Sequence, residues 1–161
     1  MGPLVVVRIA ELAVLRREGV LIAIGLGSCV GVGLYDPVAQ VAGLAHVFLP
    51  ASANGRPSDF MPARYADSAV PALAEAMQRQ GAVLSRLVAK VAGGAQLFLR
   101  GEQVGLDVGR RNAEAVLAAL SRLGIPVVAR DLGGHRGRTM KLYADTGAVE
   151  IRAMGLPVQR L

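Results

Sequence analysis

The chain has 161 residues, 53% of them hydrophobic and 19% charged, with a mean hydropathy of +0.44, one cysteine and no tryptophan. That composition excludes a disordered chain, which lacks the apolar surface to offset ordering entropy, and a disulfide-stapled secreted domain, which needs paired cysteines. Eighteen Lys and Arg against 12 Asp and Glu leave a net charge of +6, which suits an acidic partner. Without a run of five basic residues, and with only three Tyr and three Phe, nucleic-acid binding is not expected.

In chain order, Leu4 to Val7, Leu12 to Leu15 and Val20 to Ile24 read as short strands, followed by a Gly25-Leu26-Gly27-Ser28 turn and a strand from Cys29 to Tyr35. The 17 uncharged residues from Gly19 to Tyr35 touch the lower limit for a membrane-spanning helix, but five of them are glycine and a pair of buried strands suits them better. Arg8, Glu11, Arg16 and Arg17 interrupt any secretory apolar stretch, so a cytoplasmic protein without membrane insertion is expected. Asp36-Pro37 signals a turn, because proline pre-sets a turn dihedral and aspartate can bond its own backbone. The chain returns as a strand over Val41 to Leu49, and Pro50 to Pro62 is a loop by composition.

Ala66, Ala69, Val70, Leu73 and Met77 recur at helical spacing, as do Ala113, Val116, Leu117, Leu120 and Leu123, predicting two amphipathic helices. Leu87 to Ala92 reads as a strand ending at Gly93-Gly94, and Leu97 to Leu99 as another short one. Gly124 is placed as a helix C-cap before a strand from Ile125, and Thr139 to Tyr143 and Val149 to Ala153 close the chain as two more. Strands outnumber helices and many are hairpin-linked. The expected fold class is α+β, one domain over 1–161, with layered mixed or antiparallel sheets and two main flanking helices.

A tight hairpin centred on Pro37 and Val38 sets Cys29 directly opposite His46, where Cβ atoms lie about 4.5–5.5 Å apart and a thiol and an imidazole can share a proton. A bulge or another turn would leave the two diagonal. On the same face Gly31 and Gly33 would leave a slot for a substrate chain. The catalytic reading makes Cys29 a nucleophile and His46 its base, with backbone N–H groups near Gly27 and Ser28 facing an oxyanion. An activated thiol of this kind alkylates well below a pH of about 8.5. The structural alternative is a small buried core thiol and a hydrogen-bonded core histidine.

Other constellations carry less. Gly25-Leu26-Gly27-Ser28-Cys29-Val30 fails the dinucleotide fingerprint at Val30, and one cysteine with His46 and His135 far apart offers no metal-ligand cluster. His135, Arg136 and Arg138 after Gly133-Gly134 read either as an anion-binding loop or as a solvated one. Arg110 and Arg111, unfavourable at a helix start, read as facing a partner.

The run Gly25-Leu26-Gly27-Ser28-Cys29-Val30, then Tyr35-Asp36-Pro37, then Ala45-His46-Val47-Phe48-Leu49-Pro50 resembles the chemoreceptor glutamine deamidase CheD family. The likeness continues through Arg64 to Val70, Ala89 to Ala95, Val108 to Asn112 with Glu114 to Val116, and Asp131 to Gly134. It implies hydrolysis of selected glutamines to glutamate on the cytoplasmic methylation helices of chemoreceptors, by papain-like Cys–His chemistry without a cofactor. It also implies a partner, the phosphatase CheC, competing with receptor for one face. By position Cys29 is the nucleophile and His46 the base. The family often has threonine six residues before the cysteine as a third member, and here that position is Ala23, which offers only its backbone. The resemblance therefore leaves two outcomes: an enzyme whose histidine is oriented by a main-chain carbonyl, Ala23's own being the candidate, or an inactive regulator that binds receptor or CheC.

Overall fold

The computed structural model describes residues 2–52, 61–97 and 107–161, which form ten strands and two α-helices in an α+β arrangement. One sheet has the order β1-β3-β8-β9-β10, built from Leu4–Val6, Val20–Leu26, Arg138–Tyr143, Val149–Arg152 and Gln159–Arg160. The other has the order β2-β5-β4-β6-β7, from Leu12–Arg16, Val41–Val47, Val30–Asp36, Val88–Gly93 and Val127–Leu132. Both are mixed: β1 with β3 and β6 with β7 run parallel, and the remaining pairs are antiparallel. The uncharged stretch from Gly19 to Tyr35 supplies β3 and β4, and among the described residues no helix is long and apolar enough to cross a membrane.

The second sheet is the middle of three layers, and this explains why β4 and β5 are buried at every position. Along β4, Val30, Val32 and Leu34 point to the helices, whereas Tyr35 and its alternate neighbours point to the first sheet. On β5, Val41, Ala45 and Val47 face the helices, and Ala42 and Leu44 face the first sheet. Helix α1, Ala66–Arg79, lays Ala66, Ala69, Val70, Leu73 and Met77 on β2 and β5, as their spacing predicts. Helix α2, Val108–Arg122, begins five residues before the predicted apolar stripe and packs on β4, β6 and β7. It ends in a Schellman motif: Gly124 has φ +71°, its N–H donates to Ser121 O (3.0 Å), and Ile125 N–H donates to Leu120 O (3.0 Å).

The hairpin between β4 and β5 differs from the expected one. Asp36 pairs with Val41, so the loop holds four residues, Pro37 to Gln40, with Gln40 at φ +53°. Proline at the first loop position does not suit the primed two-residue turns, and Asp36 Oδ1 accepts from Val38 N–H (2.9 Å) and Ala39 N–H (3.1 Å), building the wider turn instead. Strand β3 also runs on to Leu26 through a bulge at Ile24 and Gly25, where a turn was expected. Of the predicted 97–99 strand, Leu97 is not in a strand and the other two residues lie outside the described ones, as does most of the predicted 50–62 loop.

Candidate active site

The longer loop moves the hairpin register, and His46 faces Gly31 rather than Cys29. Cys29, one residue before β4, is therefore diagonal to His46 across the same inter-sheet face. Diagonal neighbours on an antiparallel pair are about 7–8 Å apart at the backbone, a gap an imidazole can span. The slot expected beside Gly31 and Gly33 is not there. A Cβ at Gly31 would lie 2.8 Å from Met140 Sδ and 3.1 Å from Leu26 Cδ1, and one at Gly33 would lie 3.0 Å from Met140 Cε. These glycines make room for the facing sheet, not for substrate.

His46 is 2% exposed and gripped on three sides. Its N–H donates to Glu11 O (2.9 Å), its carbonyl accepts from Ala10 N–H (2.9 Å), and its Nδ1 lies 3.0 Å from Val7 O. A carbonyl can only accept, so Nδ1 carries the proton and Nε2 keeps a lone pair. That Nε2 is buried with no hydrogen-bond partner among the described residues. The main-chain carbonyl that orients the ring is thus Val7's, not Ala23's. Val7 N–H donates to Ile22 O (2.7 Å), so the carbonyl sits beside the residue 23 position, but Ala23 itself faces Met140 across the β3–β8 pairing and is fully buried.

Cys29 is 6% exposed. Burial pushes its thiol above its ordinary value, and its own backbone N–H offsets only part of that. Burial likewise lowers the His46 imidazole, against smaller upward effects from the Val7 carbonyl and Glu11. Both shifts favour the neutral forms, thiol and imidazole, over a thiolate–imidazolium ion pair, and so run against alkylation well below pH 8.5.

The turn carrying Cys29 is fixed by three successive carbonyls. Gly27 O accepts from Ala95 N–H (2.8 Å), Ser28 O from Asn112 Nδ2 (2.8 Å), and Cys29 O from Gly94 N–H (2.9 Å). Gly27 is buried with Leu97 against its α-carbon, and Ser28 is half-buried. Sequence reasoning missed Val7 and Asn112. Val7 acts through its backbone, which no residue type signals, and Asn112 comes from α2, more than 80 residues away.

A depression of about 440 Å³ is lined by Val6, Val7, Arg8, Ile9, Ile24 and His46. A second depression of about 440 Å³ holds Gly133, Gly134, His135, Arg136 and Arg138. Gly134 to Gly137 form an exposed loop, as the solvated reading has it, but Arg138 is no free anion ligand: it is buried at the start of β8, pairs with Asp131 Oδ2 (3.2 Å) and Asp131 O (2.7 Å), and donates to Gly133 O. Arg110, read as facing a partner, is exposed and pairs with Asp107 (2.9 Å), the residue before α2, which offsets its charge at the helix start.

The α-β-β protein thus holds a histidine, fixed in one tautomer by a main-chain acceptor, on the same face as a lone thiol whose turn is tied down. Comparison with known proteins gives the family. Residues 48–153 match the model of CheD chemotactic sensory transduction. The chain is 48% identical to a probable chemoreceptor glutamine deamidase CheD of Symbiobacterium thermophilum, over 87% of this chain and 86% of that one. It is 45% identical to the chemoreceptor glutamine deamidase CheD of Thermotoga maritima, over 93% and 92%. With the probable chemoreceptor glutamine deamidase CheD of Clostridium novyi the identity is 42% over 95% and 94%, an alignment too long to leave out the segment from Cys29 to His46. The chain belongs to the CheD family.

Proposed function

We propose that the protein is a chemoreceptor glutamine deamidase in which Cys29 is the nucleophile and His46 the general base. The observation that carries the reading is the lone pair of His46 Nε2, unpartnered among the described residues and fixed by the Nδ1 bond to Val7 O on the face shared with Cys29. The reaction runs by general-base attack. Cys29 Sγ bonds to the side-chain carboxamide carbon of glutamine as its proton passes to Nε2, and the oxyanion is met by backbone N–H groups of the Gly27 to Cys29 turn. Collapse breaks the C–N bond, His46 returns the proton to the departing ammonia, and a thioester remains. Water then attacks, its proton taken by His46, and expulsion of the thiol releases glutamate. No cofactor enters any step. The net charge of +6 suits a glutamate-bearing helix, and the resemblance adds the phosphatase CheC as a competitor for the receptor-binding face, in the cytoplasm.

Incubation of a receptor cytoplasmic fragment with the protein is expected to convert glutamine to glutamate, read by mass spectrometry as a gain of about one mass unit with ammonia release. Cys29→Ala and His46→Ala are expected to abolish it. The near-complete burial of both residues favours a second reading, a non-catalytic module that binds receptor or CheC. That reading predicts full binding by Cys29→Ala and no ammonia from the native protein.

A further inference from the structure

Among the described residues, the Asn112 side chain joins the two halves of the proposed site. It stands in the second turn of α2 and is fully buried. Its Nδ2 donates one hydrogen to Ser28 O (2.8 Å) and the other to Phe48 O (3.0 Å), the first just before Cys29 and the second two residues beyond His46. Both partners are carbonyls, so the amide orientation admits no alternative. Its Oδ1 is buried without a partner among the described residues. An unpaired buried carbonyl oxygen is a stability cost, and a side chain kept at that cost for two donations calls for a reason. The approach itself is built into the backbone: a Cβ at Gly109 would collide with Ala95 O and Gly94, so glycine lets the start of α2 come down onto the turn that holds Cys29.

From this geometry we infer that Asn112 is a positioning residue for the reaction, aiming the peptide unit between Ser28 and Cys29. In a trans peptide the N–H points opposite to the C=O, so holding Ser28 O toward α2 turns Cys29 N–H the other way, toward the face where the thiol lies. A hydrogen bond accepted by the carbonyl also polarises the unit and strengthens the same N–H as an oxyanion donor. The second donation, to Phe48 O, fixes the exit of the histidine strand relative to that turn. Asn112 thus acts on Cys29 and His46 without touching the substrate.

The inference rests on the deamidase reading, and its test separates the two. Asn112→Ala and Asn112→Asp are compared with Val116→Ala, which removes fully buried packing from the same helix away from the site. With all variants folded by circular dichroism, Asn112→Ala and Asn112→Asp are expected to lower kcat about 10–100-fold with KM within threefold, and Val116→Ala to keep kcat within twofold. Independently of any deamidation, iodoacetamide should label Cys29 at least fivefold faster at pH 9 in Asn112→Ala than in the native protein, because the turn is released, and no faster in Val116→Ala. Unchanged labelling in folded Asn112→Ala, or equal kcat loss in Val116→Ala, overturns the positioning role. Absence of deamidation by the native protein overturns the activity and leaves the labelling comparison to decide on Asn112.

Discussion

At the scale of single residues, the proposed chemistry turns on how His46 is held. In many triads a side chain orients the imidazole, and losing it leaves the wrong tautomer, at a cost of about 10⁴ in rate. Here the acceptor is Val7 O, which substitution at residue 23 does not remove, so alanine at that position is compatible with an oriented base. The resemblance could point to Cys29, His46 and the departure at Ala23, but a main-chain partner is invisible in residue identities. The pH profile follows from burial, which holds the His46 imidazole below its ordinary value of 6.5. The base form is present above that lowered pKa and is lost as pH falls through it. The acidic limb of kcat/KM is accordingly expected to have its midpoint below 6.5, and a midpoint at or above that value would contradict the buried neutral ring. On the alkaline side the raised Cys29 thiol predicts an iodoacetamide rate still climbing at pH 9, where a plateau below pH 8 would reveal a preformed ion pair.

At the scale of elements, the strands and helices were largely legible because their periodicities differ, two for β8 and the helical repeat for α1 and α2. Register and layer contacts were not. The four-residue loop from Pro37 to Gln40 depends on Asp36 capping its own turn, and the filling of the Gly31 and Gly33 space depends on Met140, a residue of the other sheet. Those glycines also rank two substitutions. In Gly31→Ala the new methyl meets the flexible end of Met140, and about 1–2 kcal/mol of stability is expected to be lost. In Gly93→Ala the methyl meets Cys29 O, which is backbone, at a residue with φ +114°, and the loss is expected to exceed about 3 kcal/mol. Urea unfolding of both variants checks the order. A Gly31→Ala loss equal to or larger than that of Gly93→Ala would mean that the turn behind Cys29 is not the rigid partner its three tied carbonyls imply.

At the scale of the whole molecule, Asp36 joins the central sheet to the segment that follows α1. Its carboxylate is fully buried and accepts from Val38, Ala39 and Val83 N–H, while Arg86 donates Nε to both oxygens (3.0 Å each) and pairs through a second nitrogen at 2.9 Å. Burial raises its pKa, but the Arg86 guanidinium and the three N–H groups prevail and bring it from 3.8 to about 2. The unfolded chain therefore binds a proton before the folded one does. The stabilisation, about 2 kcal/mol, is complete above 3.8 and disappears as pH falls toward 2. His46 adds an earlier decline with the same sign, because a buried imidazole with a lowered pKa penalises the fold once the unfolded chain protonates below 6.5. Urea unfolding between pH 8 and 2 is thus expected to show stability falling from about pH 6.5 and falling again below about pH 4. Asp36→Asn should be less stable by about 2 kcal/mol at neutral pH and should lack the second decline, since the neutral amide takes up no proton in either state. A second decline in Asp36→Asn as steep as the native protein's would assign it to other carboxylates and remove Asp36 as the group that links acid stability to the hairpin beneath the site.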